Sequence, residues 1–187
     1  MKINGRGEKF IIKNFFWLAL CVLLVIVFQG FEEVNSVEAV AVNELNGNIA
    51  FAYFDSNSPD NKKIVVECYT PNGERLFKKH LPNDEAAVNM TYSNDILYIY
   101  IPYDKALYLK NDNGDDIEKN EGNSIDVTLL SNFGGFKGIN PKTYEKNEIK
   151  YCYEEAAWFQ KFLRKGYARL FIVQPNGEKI TVYEHRA

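Results

Sequence analysis

Apolar and polar positions divide the chain into two regimes. From Phe15 to Phe28 the sequence reads FFWLALCVLLVIVF, with no charged or amide side chain, and Phe10, Ile11, Ile12 and Phe31 extend the greasy stretch. At about 1.5 Å of rise per residue, the strict run covers roughly 21 Å and the extended one roughly 33 Å, against a hydrocarbon core about 30 Å thick. Residues 14–31 therefore read as a transmembrane helix, with 1–13 as a tail before it. Residues 32–46, EEVNSVEAVAVNELN, are acidic and irregular and read as a linker. From Gly47 the pattern changes to period-two strands broken by turn residues, so 47–187 reads as the folded domain.

Within that domain Ile49 to Phe54 (IAFAYF) is apolar at nearly every position. Lys63 to Tyr69 (KIVVECY) and Glu74 to His80 flank Thr70-Pro71-Asn72-Gly73, a hairpin signal. Ala87 to Tyr92, Ile96 to Ile101 (ILYIYI) and Ala106 to Leu109 form a second set, with Ser93-Asn94-Asp95 as a turn between the first two. Asn111 to Gly114 then turns into Asp115 to Lys119. Ile125 to Leu130 is a further candidate strand, and Ser131 to Pro141 is a glycine-rich loop. Glu148 to Tyr153 alternates, and Ala168 to Val173 pairs with Lys179 to Tyr183 across Pro175-Asn176-Gly177. Glu154 to Lys165 (EEAAWFQKFLRK) has the marks of a helix. Acids open it, bases close it, Gly166 follows, and Ala156, Phe159, Phe162 and Leu163 form one stripe. Trp158 reads as an anchor for that helix on a sheet.

The expected fold is mainly β: an N-terminal transmembrane helix, then an antiparallel β domain with one C-terminal-side α-helix. Tyr 12 and Phe 13 against Met 2 agree with sheet over helical bundle. The Asn-Gly pairs at 72–73 and 113–114 stand 41 residues apart, each preceded by a strand. That spacing resembles the blade repeats of β-propellers, which run about 40–45 residues. A closed propeller takes roughly 4–8 blades, more than the residues beyond 32 supply. The resemblance therefore implies hairpin units packed face to face in a small open stack, and it brings no catalytic residue with it.

Charge orients the anchor. Lys2, Arg6, Lys9 and Lys13 precede the apolar run against Glu8 alone, while Glu32, Glu33, Glu38 and Glu44 follow it. The positive-inside rule then leaves the N-terminus in the cytoplasm and exports the rest. Taking the tail's four bases and one acid from the totals of 22 and 25 leaves a net of -6 outside. That charge argues against nucleic acid and anionic headgroups as partners. A cleaved signal peptide is the alternative, with Ala39-Val40-Ala41 as the small-residue site, and it would give a secreted domain. Cys68 and Cys152 fall outside the apolar run. They either pair as a disulfide or sit as small buried hydrophobes.

Candidate chemistry is sparse. His80 and His185 each end the return arm of a hairpin, and no nucleophile, zinc or phosphate-loop motif accompanies them. Asp112, Asp115, Asp116, Glu118, Glu121 and Asp126 offer oxygen ligands without the spacing of a calcium loop. Gly134, Gly135 and Gly138 do not lead into a helix, as a phosphate cradle would. No cofactor, metal or catalytic residue is expected. Tyrosine is the one informative excess. Tyr98 and Tyr100 share a face of ILYIYI, and Tyr108, Tyr151 and Tyr153 sit on neighbouring strands, where an aromatic ladder would contact a glycan or a protein. The expected function is a membrane-anchored extracytoplasmic binding, sensing or scaffolding module without catalysis. The alternative is an exported hydrolase using carboxylates such as Asp112 and Asp116.

Overall fold

A computed structural model of the chain describes residues 36–55, 64–81, 87–117, 130–156 and 166–186. The expected transmembrane segment 14–31, residues 157–165 of the expected helix and residues 125–129 of the candidate strand lie outside them. Among the described residues no helix is long and apolar enough to cross a membrane. What they form is three antiparallel meanders.

The first sheet has the order β1 (Val37–Val42), β2 (Ile49–Phe54), β3 (Ile64–Tyr69), β4 (Arg75–Leu81). The second is β5 (Asn89–Ser93), β6 (Ile96–Ile101), β7 (Ala106–Lys110). The third runs β8 (Lys142–Lys146), β9 (Ile149–Glu155), β10 (Tyr167–Val173), β11 (Lys179–Arg186), each strand pairing with its predecessor. Turn chemistry explains the regularity. At Thr70, Asn111 and Gln174 the same five-residue turn recurs. The first N–H donates to the fifth carbonyl (2.8, 3.1 and 2.8 Å) and the fourth N–H returns to the first carbonyl (3.0, 2.9 and 2.9 Å). The fourth residue is Gly73, Gly114 or Gly177, with φ of +82, +76 and +85°. That left-handed position is why Asn-Gly recurs. Two-residue turns at Asn94-Asp95 and Asn147-Glu148, all at positive φ, close β5–β6 and β8–β9.

The first sheet lies in the middle. Ala39, Ala41, Ala50, Ala52, Ile64, Val66 and Cys68 pack with Met90, Leu97, Ile99 and Ile101 of the second sheet. Val40, Val42, Ile49, Phe51, Tyr53 and Val65 pack with Tyr151, Tyr153, Leu170 and Ile172 of the third. Burial on both faces is what the unbroken apolar run of IAFAYF encodes. Fully burying a side chain such as Phe51 is worth about 1.5–3 kcal/mol.

Three expectations change. Val37–Val42 falls in the stretch read as linker, yet it is strand β1, with Ala39 and Val40 at 0% exposure. A register irregularity between Val37 and Ala39 breaks its alternation, so the period-two signal fails there. Glu154 and Glu155, expected to open a helix, continue β9, where Glu154 pairs with Arg169 and Glu155 with Ala168. Of the expected return strand Asp115–Lys119, residues 118–119 lie outside the described residues, and the described part forms a bridge from Lys110 to Asp116, with the Ile117 N–H donating to the Leu109 carbonyl (3.0 Å). Strand β8 had no expectation at all, because KTYEK carries one apolar side chain, Tyr144.

A strap completes the architecture. The Val40 N–H donates to the Asn132 carbonyl (2.7 Å) and the Met90 N–H to that of Ser131 (3.3 Å). Residues 131–133 thus cover β1 and link the first sheet to the second. Cys68 and Cys152 are both free and buried. Cys68 faces the second sheet, whereas Cys152 alternates with Tyr151 and Tyr153 and points off the far side of the third, so the two do not bridge.

Candidate functional site at the junction of the three sheets

The hairpin turns gather at one end of the domain. The Asn46 and Asn48 amides donate to Asp112 Oδ2 (2.7 and 2.9 Å), and that of Asn43 to Asp95 Oδ1 (2.8 Å). The Tyr151 hydroxyl donates to the Gly47 carbonyl (2.6 Å), and the Gln174 amide to that of Pro71 (2.6 Å). Each bond joins different hairpins, so turn geometry fixes this end as one polar surface.

A cleft of about 270 Å³ opens there. Ala41, Val42 and Glu44 line it from β1 and its turn, Met90, Thr91 and Tyr92 from β5, Tyr144 from β8, and Gly134 and Gly135 from beyond the strap. The small Ala41 leaves the space. Tyr144 closes one wall: it stacks on Phe136 (centroids 5.7 Å) and leans on Tyr151 (6.1 Å). A Cβ at Gly135 would come within 2.8 Å of that ring, so the close approach depends on glycine. The Tyr144 hydroxyl donates to Glu44 Oε1 (3.3 Å). The Lys146 ammonium donates to the Glu44 backbone carbonyl and stands 4.0 Å from Glu44 Oε2. Inside, the Tyr92 hydroxyl lies 3.4 Å from Cys68 Sγ.

The electrostatics are one-sided. Burial raises the Tyr92 hydroxyl well above its usual range, Cys68 adds to the rise, and Asp112 and Asp95 push further the same way. Burial likewise raises Tyr144, with Glu44 contributing. The Cys68 thiol is pushed up to about 12 by burial, so it stays protonated and unreactive at neutral pH. Asp112 Oδ1 is buried with no hydrogen-bond partner among the described residues. The cleft offers hydroxyl and carboxylate groups for hydrogen bonding over an apolar floor. Its lining includes no histidine, cysteine or lysine among the described residues.

The tyrosines singled out from the sequence are not brought together. Tyr98 and Tyr100 share the outer face of the second sheet, but Tyr98 is only 3% exposed. Tyr108 pairs with Ile99, and directly opposed residues share a face, so Tyr108 turns inward against the core. Tyr151 and Tyr153 are buried between the first and third sheets. The remaining candidates are dispersed. His80 pairs with Val65 in the first sheet and His185 with Ala168 in the third. Asp115 takes the Asn111 amide (3.3 Å) and Asp116 the Lys110 ammonium (2.5 Å). No group of three metal-ligating side chains forms among the described residues. Glu67, buried on β3, is also spoken for. It accepts from the Tyr53 and Tyr69 hydroxyls (both 2.8 Å) and faces Lys78 (3.2 Å) and Arg75 (3.8 Å).

Of the cleft residues, the sequence marks only Gly134 and Gly135 as candidate chemistry, while Glu44 and Ala41 enter it for anchor orientation and signal cleavage. The usable signal was the asparagine-rich turn Asn43 to Asn48, whose amides tie the surrounding hairpins together. No family model matches the chain, and no curated protein matches it.

Proposed function

We propose that the protein is a membrane-anchored extracytoplasmic binding module, held by residues 14–31 with its N-terminus inside, and that the cleft is its ligand seat. The observation that carries the binding role is the cleft itself, where the edges of three rigid sheets meet around a few convergent polar groups. Sites of that kind occur at such junctions. Its groups suit non-covalent recognition, because the one nearby thiol and both tyrosine hydroxyls hold their protons.

Carboxylate-dependent hydrolysis is disfavoured, since Asp112 is bound to two asparagine amides and Asp116 to Lys110. The partner we infer is a small molecule or exposed group of a glycan or protein, not nucleic acid. Protease treatment of intact cells carrying a C-terminally tagged chain tests the topology. Loss of the tag, with the chain recovered in pelleted membranes, is the expected result. Full-length chain in the cytosolic supernatant overturns the reading.

A further inference from the structure

We propose that Asn72 is a site of spontaneous covalent modification, its side-chain amide lost through ring closure onto the main-chain nitrogen of Gly73, and that Asn46 is held back from the same reaction. Water is the only co-reactant. The glycine nitrogen attacks the asparagine Cγ, the bond from Cγ to the side-chain nitrogen breaks, and the proton given up by the glycine nitrogen leaves with it as ammonia. Water then opens the cyclic imide at either carbonyl. One opening leaves aspartate, and the other leaves isoaspartate, with the main chain rerouted through the side chain. Glycine is the residue that permits this closure most readily, because it has no Cβ to crowd the attacking nitrogen.

Four Asn-Gly pairs fall among the described residues, at 46–47, 72–73, 113–114 and 176–177. Their nucleophiles are restrained alike. The N–H groups of Gly47, Gly73, Gly114 and Gly177 donate to the carbonyls of Asn43, Thr70, Asn111 and Gln174 at 2.8, 3.0, 2.9 and 2.9 Å. The electrophiles are not alike. The side-chain amide has to turn its face toward the glycine nitrogen, and turning breaks whatever bonds it holds. Asn46 holds two, donating to Asp112 Oδ2 (2.7 Å) and accepting from the Asn48 N–H (2.9 Å). The first of these ends on a carboxylate and is of the stronger class. Asn176 holds one, accepting from the Glu178 N–H (2.9 Å). The Asn72 and Asn113 amides hold none among the described residues, and both residues are exposed. Gly114 is buried, however, where an added Cβ would come within 2.7 Å of the Phe77 ring, so solvent reaches its nitrogen poorly. Gly73 is only half-buried. Asn72 alone joins a free amide to a nitrogen that solvent can reach. Isoaspartate there lengthens the main chain inside the turn that Gln174 grips through the Pro71 carbonyl (2.6 Å), and so loosens a tie between the first and third sheets. The turn that carries Glu44 to the cleft is spared.

Full-length protein in detergent micelles is held at mildly alkaline pH, folded in one sample and unfolded by urea in another. Peptide mapping by mass spectrometry follows the gain of aspartate and isoaspartate at each pair. In urea the four pairs should convert at similar rates, since glycine follows every one of these asparagines. In the folded protein Asn72 should convert first, and Asn46 should lag it by roughly tenfold or more, the bond to a carboxylate being the added barrier. Asp112→Ala removes that acceptor and should speed Asn46 while leaving Asn72 at its parent rate. Asn46 converting as fast as Asn72 in the folded protein overturns the proposal, and so does an order that persists unchanged in urea. Asn46 unmoved by Asp112→Ala, or all four pairs speeding together, overturns Asp112 as the restraint.

Discussion

The two faces of the central sheet are built from the same strands and solve different packing problems. Toward the second sheet, β1 and β2 present Ala39, Ala41, Ala50 and Ala52, and Met90, Leu97, Ile99 and Ile101 from the other side fill the room. Toward the third sheet the same strands present Val40, Ile49, Phe51 and Tyr53. These meet further rings, with Phe51 stacked on Tyr69 (centroids 5.8 Å) and edge-on to Tyr183 (5.4 Å). One layer is small against large and aliphatic. The other is ring against ring, with hydroxyls led out to Glu67 and the Gly47 carbonyl. The difference shows what the tyrosines are for: most of them fasten one layer to another, and their polar ends find partners along the way.

Alkali attacks both layers at once and gives the largest effect. Burial raises the Cys68 thiol to about 12, and the Tyr69 and Tyr151 hydroxyls also to about 12. The unfolded values are about 8.5 and about 10. Above those values the unfolded chain gives up protons that the folded one keeps. The stability present below about pH 8.5 is therefore lost progressively as pH climbs toward 12. Circular dichroism and tyrosinate absorbance followed together should show phenolate appearing in step with unfolding. A full phenolate signal from a still-folded protein would contradict this.

Two substitutions separate the layers. Phe51→Ala empties a 0%-exposed position in the aromatic layer and should cost about 3–5 kcal/mol. Ala50→Leu, its neighbour on the opposite face, adds bulk to a filled aliphatic layer and should cost about 1–3 kcal/mol. Urea denaturation measures both, and equal costs would mean that the two layers do not differ in packing as described.

The recurring turn gives the finest contrast. Gly73 and Gly177 hold the same bond pattern and nearly the same φ, so Gly→Ala carries a similar backbone cost at each, about 1–2 kcal/mol. A Cβ at Gly73 would lie 2.4 Å from Ile180 Cγ2, whereas at Gly177 nothing is within 4 Å. Thermal melts should therefore rank Gly73→Ala below Gly177→Ala. Identical melting temperatures would show that Ile180 moves aside freely.

Much of the strand order is written in turn residues and apolar runs, which is why β2, β3, β6 and β10 are legible from the chain alone. Strand β1 is obscured by its irregularity after Val37, and β8 by a composition that reads as loop until its pairing with β9 is known. The site was less legible for a different reason. Tyr98 and Tyr100 do share a face, as alternation requires, but whether that face is open depends on what packs over it, which period two does not encode. Glu44, Thr91 and Tyr144 come from three separate sheets, and only the stacking brings them to one cleft.

Strand β4 forms an outer edge of the central sheet, with exposed Arg75, Lys78, Lys79 and His80 along it. Laid against a neighbour's identical edge, those side chains would bring like charges together where main-chain pairing would otherwise propagate. Copies of the chain brought close together would thus be kept from joining along that edge into a longer sheet.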